Sequence, residues 1–561
     1  MPNYEDDQKG VQAGTVSAVL PDRAAAATPR AARIRDEVVL AGSRRAVFVL
    51  LTTVLLVAVG AFAVYWAEIP GAEEHPVLYA LASAGLFYLI GVWLMPWLAV
   101  ERMRRPVHVD PAPGWRVAVM TTFTPPTESV EMLEQTLAAL VALDYPHDTW
   151  VLDEGNVPEV RTLCDRLGVR HFSRFGRPEY QTPSGRFARR SKFGNINAWL
   201  DQSESAEYDL LAAFDPDHVP ERDYLLRTLG YFSDPEVGYV QAAQFYYNQA
   251  ASFVARGAAE ESYDFYSSGQ MANHAFGEPA VVGSHTVHRL AALRAFGGVP
   301  AHEAEDLYLA LLYRWARWRG VYVPEILAMG TTPVDWRAYL RQQRRWTRSL
   351  LDLKLRVLPK VAPRMTPTER ARGLLHGTYF LRPLVFVAWY PMLVYMLVAD
   401  VQPTFYHRYA FYALFSLATV FFCVDRFRQL YYLDRKGERG IHWRSLVLLY
   451  AKWPYFAQAL WQAVRGWRGT FAVTPKVETR SVRGSIAVPH LTLAFVMAAA
   501  LGTRVALHGV PRPALLGTAA GFIVFSALLA CTELLNFPPT FERGLYARSR
   551  AALRERLRER A

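Results

Sequence analysis

Cysteine is scarce in this chain. Cys164, Cys423 and Cys531 are the only three in 561 residues, scattered, with two of them in or beside apolar runs. That excludes a disulfide framework and any zinc-finger spacing. No cleavable secretory leader is expected either: the first apolar run starts near Ala46, follows Arg44 and Arg45, and is long enough to span a bilayer. Residues 1–37 have no apolar periodicity and are rich in Ala, Pro and charge, which predicts a disordered cytosolic tail. Lys and Arg are absent between the first two apolar runs, where Glu68, Glu73 and Glu74 stand instead. The net charge of +11 could suggest a nucleic-acid partner. The arginines cluster beside apolar runs, however, where anionic lipid headgroups account for them, so membrane lipids are expected as partners and nucleic acid is not.

What the chain has in quantity is apolar surface: 52% of its residues are hydrophobic. Runs of the roughly 20 residues a bilayer requires occur near 46–67, 76–99, 378–399, 408–425, 486–508 and 513–535. They group as pairs of transmembrane helices within 46–100, 376–426 and 486–536, leaving a charged, strand-and-helix patterned stretch over 106–375 large enough for one α/β domain. Lys/Arg bias sets the orientation. Arg44, Arg45, Arg102, Arg104, Arg105 and the basic tail 541–561 place both termini and the large domain in the cytosol; Arg512 alone dissents. Residues 441–466 are apolar enough to resemble a seventh span. Arg444 and Lys452 interrupt that run, Pro454 would break its helix, and Trp443, Trp453 and Trp461 suit a headgroup boundary, so it is expected as an interfacial helix.

Within 106–375, Val117–Met120 reads as a buried strand ending at Thr121-Thr122, and Trp150–Leu152 as a second ending at Asp153, with the helix of Val130, Leu133, Leu137 and Leu140 between them. Strands alternating with helices imply a parallel sheet whose ligands sit at the carboxyl ends of its strands, which puts Asp153 in a ligand position. A cap on the following helix is the other reading of Asp153. In Lys192-Phe193-Gly194-Asn195-Ile196-Asn197, glycine permits close approach of backbone to ligand, while Lys192 and Asn195 offer a cation and amide donors for phosphate and sugar oxygens. Asp215 and Asp217 follow the apolar strand Leu210–Phe214. In extended backbone alternate side chains converge, and two such carboxylates call for a hard divalent ion, Mg²⁺ or Mn²⁺; a plain Asp-Pro-Asp turn is the alternative. Glu305-Asp306 opens a helix, where negative charge favours the dipole. On an Arg-rich helix, Arg345 can form charge-assisted bonds to a leaving pyrophosphate and Trp346 offers a face on which a sugar can stack.

The order Asp153, Asp215-Pro-Asp217, Asp306, Gln342-Gln-Arg-Arg345-Trp346, with apolar runs on both sides, resembles processive family-2 glycosyltransferases such as cellulose, chitin and hyaluronan synthases. The resemblance implies a cytosolic, Rossmann-like GT-A domain of α/β class inserted between about six transmembrane helices. It also implies an inverting transfer from a UDP-sugar to a growing β-linked glycan, which the enzyme translocates across the plasma membrane. Asp306 matches the general base. Thr122, Asp153, Lys192, Asn195, Asp215, Gln342 and Arg345 match the donor site; Gln244, Ser284 and Trp346 the acceptor site; Asp215 and Asp217 the metal site. Phe471-Ala-Val-Thr474-Pro-Lys476 resembles the gating loop of bacterial cellulose synthases, so Phe471, Thr474 and Lys476, within 468–480, are expected to cover the donor. The family also suggests polysaccharide-export partners in the periplasm or at the cell surface. Departures are Thr121–Glu128 at the first strand, Glu154 after Asp153, Val282 and His285 around Gly283-Ser284, Ala304 before Glu305, and Ser349 in place of Gly. With so few residues after the last apolar run, direct control through a cyclic-di-GMP-binding PilZ domain is not expected within this chain. A transferase that glycosylates a lipid, as ceramide glucosyltransferases do, is the nearest rival, and a transporter or non-catalytic assembly subunit the second.

Overall fold

The computed structural model describes residues 34–467 and 485–536. The expected N-terminal tail up to residue 33, the loop 468–480 with Phe471, Thr474 and Lys476, and the basic tail 541–561 lie outside the described residues. The final residues of the tail expected over 1–37 are not disordered. Asp36–Val38 (β1) pairs antiparallel with Arg104–Pro106 (β2), so the chain is stitched to the domain before it reaches the first long helix.

The soluble domain is built on Val117–Phe123 (β3), Asp148–Asp153 (β4), Arg170–Phe172 (β5), Leu210–Phe214 (β6), Val237–Ala242 (β8), Thr286–Arg289 (β10) and Arg319–Val323 (β11). A small second sheet is made from Val219–Pro220 (β7), Phe245–Tyr246 (β9) and Ala328–Gly330 (β12). The large sheet runs β11-β8-β10-β6-β3-β4-β5. Period-two alternation sends each strand's side chains to two covered faces. Val117, Val119, Val151 and Ala212 meet Leu133, Leu137 and Leu140 on one face. Ala118, Met120, Trp150, Leu152 and Leu211 meet Phe193, Ile196 and Leu309 on the other. Removing a side chain such as Leu137, which is 0% exposed, would cost about 2–5 kcal/mol.

The sheet is not the all-parallel one expected. β10 runs antiparallel to both neighbours, Thr286 pairing with Ala213 of β6 and with Gln241 of β8. The chain reaches β10 from the edge where β6 and β8 end, so it needs no crossover and must run backwards. That reversal brings Gly283, Ser284 and His285 to the carboxyl end of β6, beside Asp215.

Among the described residues six helices are long and apolar enough to cross a membrane: Gly42–Glu68, Pro76–Arg102, Pro367–Val398, Arg408–Tyr431, Val488–His508 and Pro513–Leu534. Indole donors tie the first two together, Trp66 to Ser83 and Trp97 to Thr52, each at 2.9 Å. The segment expected as one interfacial helix over 441–466 is two, Trp443–Ala451 and Trp453–Val464, with Pro454 in the first turn of the second. Its interrupting charges turn inward: Arg444 pairs with Glu260 at 3.0 Å and the buried Lys452 with Glu261 at 2.7 Å. Both acids lie on the helix Phe253–Asp264, so these ion pairs fasten the apolar helices to the soluble domain.

Candidate active site

A continuous cavity of about 2790 Å³ opens at the carboxyl ends of the strands and extends between the apolar helices. Thr122, Lys192, Asp215, Asp217, Gln244, Asp306, Gln342, Arg345 and Trp346 all line it, although nearly the whole domain separates the first from the last in sequence. At its other end the wall is Trp93, Trp389, Leu417 and Phe421.

The two acids after β6 converge through a tight turn and not through extended backbone. The His218 N–H donates to the Asp215 carbonyl at 3.0 Å, and the Thr136 hydroxyl holds the Pro216 carbonyl at 2.7 Å. Asp215, Asp217 and His218 thereby bring ligand atoms within 4.8 Å of one another. Each is fixed from behind. Ser284 Oγ accepts from the Asp215 N–H at 3.1 Å and lies 2.7 Å from His218 Nδ1; the Thr331 hydroxyl donates to Asp217. His218 fits only because residue 330 is glycine, since a Cβ there would stand 2.0 Å from the imidazole. Two carboxylates and an imidazole, with Nδ1 already committed to Ser284, form a donor set suited to Mg²⁺ or, through the nitrogen, to Mn²⁺.

Lys192, at the start of the helix Lys192–Leu200, donates to Asp215 and, at 2.6 Å, to the Gly283 carbonyl. Gly283 has φ +74°, and a Cβ there would lie 3.4 Å from Asp306 Oδ2. What the glycine admits closely is therefore the Asp306 carboxylate. Burial pushes the Asp306 carboxyl above the usual aspartate range, against the Leu307 N–H, at 2.7 Å, and the cations Lys192 and Arg345. Glu305 is pushed up to about 8, by burial first and then by Asp306. The helix Trp336–Asp352 starts at Asp335, whose side chain accepts from the Arg337 and Ala338 N–H groups. It turns Gln342, Arg345, Trp346 and Ser349 to the cavity, a spacing of three to four residues that marks one face. Trp346 is 40% exposed there, the accessibility a stacking platform needs. Arg348, on the same helix, is held by Glu303 at 2.6 Å.

Among the described residues, three expected at the site do not line the cavity. Asp153 is 0% exposed and accepts from the Gly155 and Val157 N–H groups at 2.9 and 2.6 Å. It closes the turn that leads into the helix Pro158–Leu167, whose N-cap is Val157, so it is not itself the helix cap. Asn195 is buried with its amide on the Leu152 carbonyl at 2.9 Å, and Gly194 is small because Ala188, Ser191 and Arg174 crowd it, not to admit a ligand. Ser284 supports Asp215 and His218 where an acceptor contact was expected. Sequence reasoning assigned no role to His218, although an imidazole directly after two acids was legible as a third ligand. Thr331 gave no signal, because its partner Asp217 is far away in the chain.

Residues 211–424, which begin in β6 and run past Trp346, match the model described as "Glycosyl transferase family group 2". This stretch is a glycosyl transferase family 2 domain. The match carries Asp215, Asp217, Asp306 and Gln342–Trp346, and with the mixed sheet it gives the GT-A-like α/β fold. Over 323 residues the chain is 27% identical to a UDP-forming cellulose synthase catalytic subunit of Pseudomonas fluorescens, covering 55% of this chain and 42% of that one. Over 171 residues it is 31% identical to a UDP-forming cellulose synthase catalytic subunit of Dictyostelium discoideum, covering 29% and 16%. The chain thus spans less than half the length of these two relatives. A mannosyltransferase from Pyrobaculum calidifontis, solved with GDP-Man and Mn²⁺, aligns at 17% identity with a TM-score of 0.46, covering 70% of this chain and 99% of that one.

Proposed function

We propose that the chain is an inverting membrane glycosyltransferase. It takes a sugar from a nucleotide-diphospho-sugar, a UDP-sugar in the first instance, adds it to a β-linked glycan, and passes that glycan between its own helices, with the transferase domain in the cytosol. The supporting observation is the one cavity that has Lys192, Asp215, Asp217, Asp306, Arg345 and Trp346 at one end and Trp93, Trp389 and Phe421 at the other. The relatives' UDP-forming activity supports the choice of donor.

In this reading Trp346 stacks the terminal acceptor sugar and Asp306 receives the proton of its attacking hydroxyl. The acceptor oxygen bonds to the anomeric carbon as the bond to the diphosphate breaks on the opposite face, inverting that centre. The diphosphate leaves with the bonding electrons and meets the cations Lys192 and Arg345. Mg²⁺ or Mn²⁺, held by Asp215, Asp217 and His218, would supply Lewis-acid neutralisation of the diphosphate. Ser284 and Thr331 keep those three side chains oriented.

Purified full-length protein in lipid nanodiscs, offered labelled nucleotide sugars with Mn²⁺ or Mg²⁺, tests the reading. Long labelled glycan and chelator-sensitive nucleotide release are expected. Label found only in a lipid-sized product would transfer the assignment to glycolipid synthesis, and no turnover with any donor would refute transfer altogether. Trp346→Ala is expected to depress elongation well beyond donor hydrolysis, because the indole holds acceptor and not nucleotide. An equal fall in both rates would make Trp346 a packing residue.

A further inference from the structure

A second lobe of the cavity is cationic and serves none of the steps above. Arg314, Lys354 and Arg372 line it together with Arg102, and each comes from a different element. Arg314 lies two turns after Asp306 on the helix Glu305–Trp315, Lys354 just beyond the helix Trp336–Asp352, Arg372 on the helix Pro367–Leu375, and Arg102 at the end of the second long apolar helix. Glu278 answers two of them, bonding Arg314 at 3.0 Å and Arg372 at 2.8 Å. Lys354 donates to main-chain carbonyls, among them that of Gly373 at 3.4 Å. Arg372 and Arg102 both lie over the ring of Phe276, at 4.2 and 5.4 Å from its centroid. Among the described residues Glu278 is the carboxylate that pairs with any of these four cations, which leaves a local excess of positive charge. Burial alone lowers the Lys354 ammonium to about 8.

Apolar side chains stand at the edge of the same lobe. Leu375 is 49% exposed, Leu98 on the apolar helix 43% and Phe276 37%. Cations set beside exposed aliphatic surface, where two long apolar helices meet the domain, suit an amphipathic anion better than a soluble one.

We propose that this lobe, formed by Arg102, Arg314, Lys354 and Arg372 around Glu278, is a binding site for the phosphate of an anionic phospholipid whose chains lie along Leu98 and Leu375. A bound headgroup ties the helix that carries Asp306 to the helices that enter the membrane. The site is independent of the transfer reading, because lipid occupancy does not require turnover.

The test is native mass spectrometry of the full-length protein in detergent with equal phosphatidylglycerol and phosphatidylcholine. Phosphatidylglycerol is expected to be retained about fivefold or more over phosphatidylcholine. Lys354→Gln and Arg372→Gln should each reduce that preference. Arg372→Gln also removes a partner of Glu278, so Lys354→Gln, which gives up only carbonyl contacts, keeps the test decisive if the other variant fails to fold. Equal retention of the two lipids, or an unchanged preference in Lys354→Gln, would overturn the site. Full displacement of phosphatidylglycerol by millimolar inorganic phosphate would overturn the lipid assignment in favour of a soluble phosphate ligand.

Discussion

Asp306→Asn is expected to leave UDP binding nearly unchanged and to lower sugar transfer by about 10²–10⁴-fold, the range of general-base contributions. The amide keeps the shape against Gly283 and can still accept from the Leu307 N–H, but it cannot take a proton from an acceptor hydroxyl. The pH profile of the parent enzyme carries the same signature. Asp306 must be ionised to act, and burial raises its pKa. The rate should therefore fall as pH drops, along a limb centred above the ordinary aspartate range. Burial and the neighbouring Asp306 raise Glu305 to about 8, which favours its neutral form beside Asp306. Titration calorimetry for UDP and a transfer assay across pH check both points. A large loss of UDP affinity with an unchanged turnover number would make Asp306 a donor ligand.

Asp217→Asn is expected to lower metal-dependent turnover by about 10³-fold or more, since several kcal/mol of charge stabilisation depends on the cation and each 1.36 kcal/mol is tenfold. Asp217 is 2% exposed, and its carboxylate already accepts from the Thr331 hydroxyl and lies 3.8 Å from His218 Nε2. An amide fills the same space with half the acceptor capacity and no charge. Thr331→Val should show a smaller loss in the same direction, because it frees the carboxylate to turn without removing it. Chelator-sensitive activity that survives in Asp217→Asn would move the metal elsewhere.

The spacing of apolar runs made all six long helices legible, because a bilayer-length stretch is a local property of the chain. The strands Val117–Phe123, Asp148–Asp153 and Leu210–Phe214 were legible for the same reason. What the sequence concealed was non-local. β10 is four residues long, and its reversed direction is set by the edge from which the chain arrives, which no pattern within Thr286–Arg289 records. The roles of Ser284 and Thr331 depend on that arrival and on β12, so they emerge only once the strands are placed. Asp153 and Asn195 show the converse limit: motif matching pointed both at a ligand, while in the structure the Asp153 carboxylate accepts from the Gly155 and Val157 N–H groups and the Asn195 amide donates to the Leu152 carbonyl of the neighbouring strand. Arg444 and Lys452 read in the sequence only as interruptions of the run 441–466, because their partners Glu260 and Glu261 lie 184 and 191 residues earlier in the chain.

The central claim is that Asp215, Asp217 and His218 hold a divalent cation that in turn holds a nucleotide diphosphate. Calorimetric titration of UDP into the purified full-length protein, with Mn²⁺ and again after chelation, tests it most directly. The account predicts at least about tenfold weaker binding without the metal, and the same weak binding in Asp217→Asn with Mn²⁺ present. Equal UDP affinity in all three titrations would contradict it.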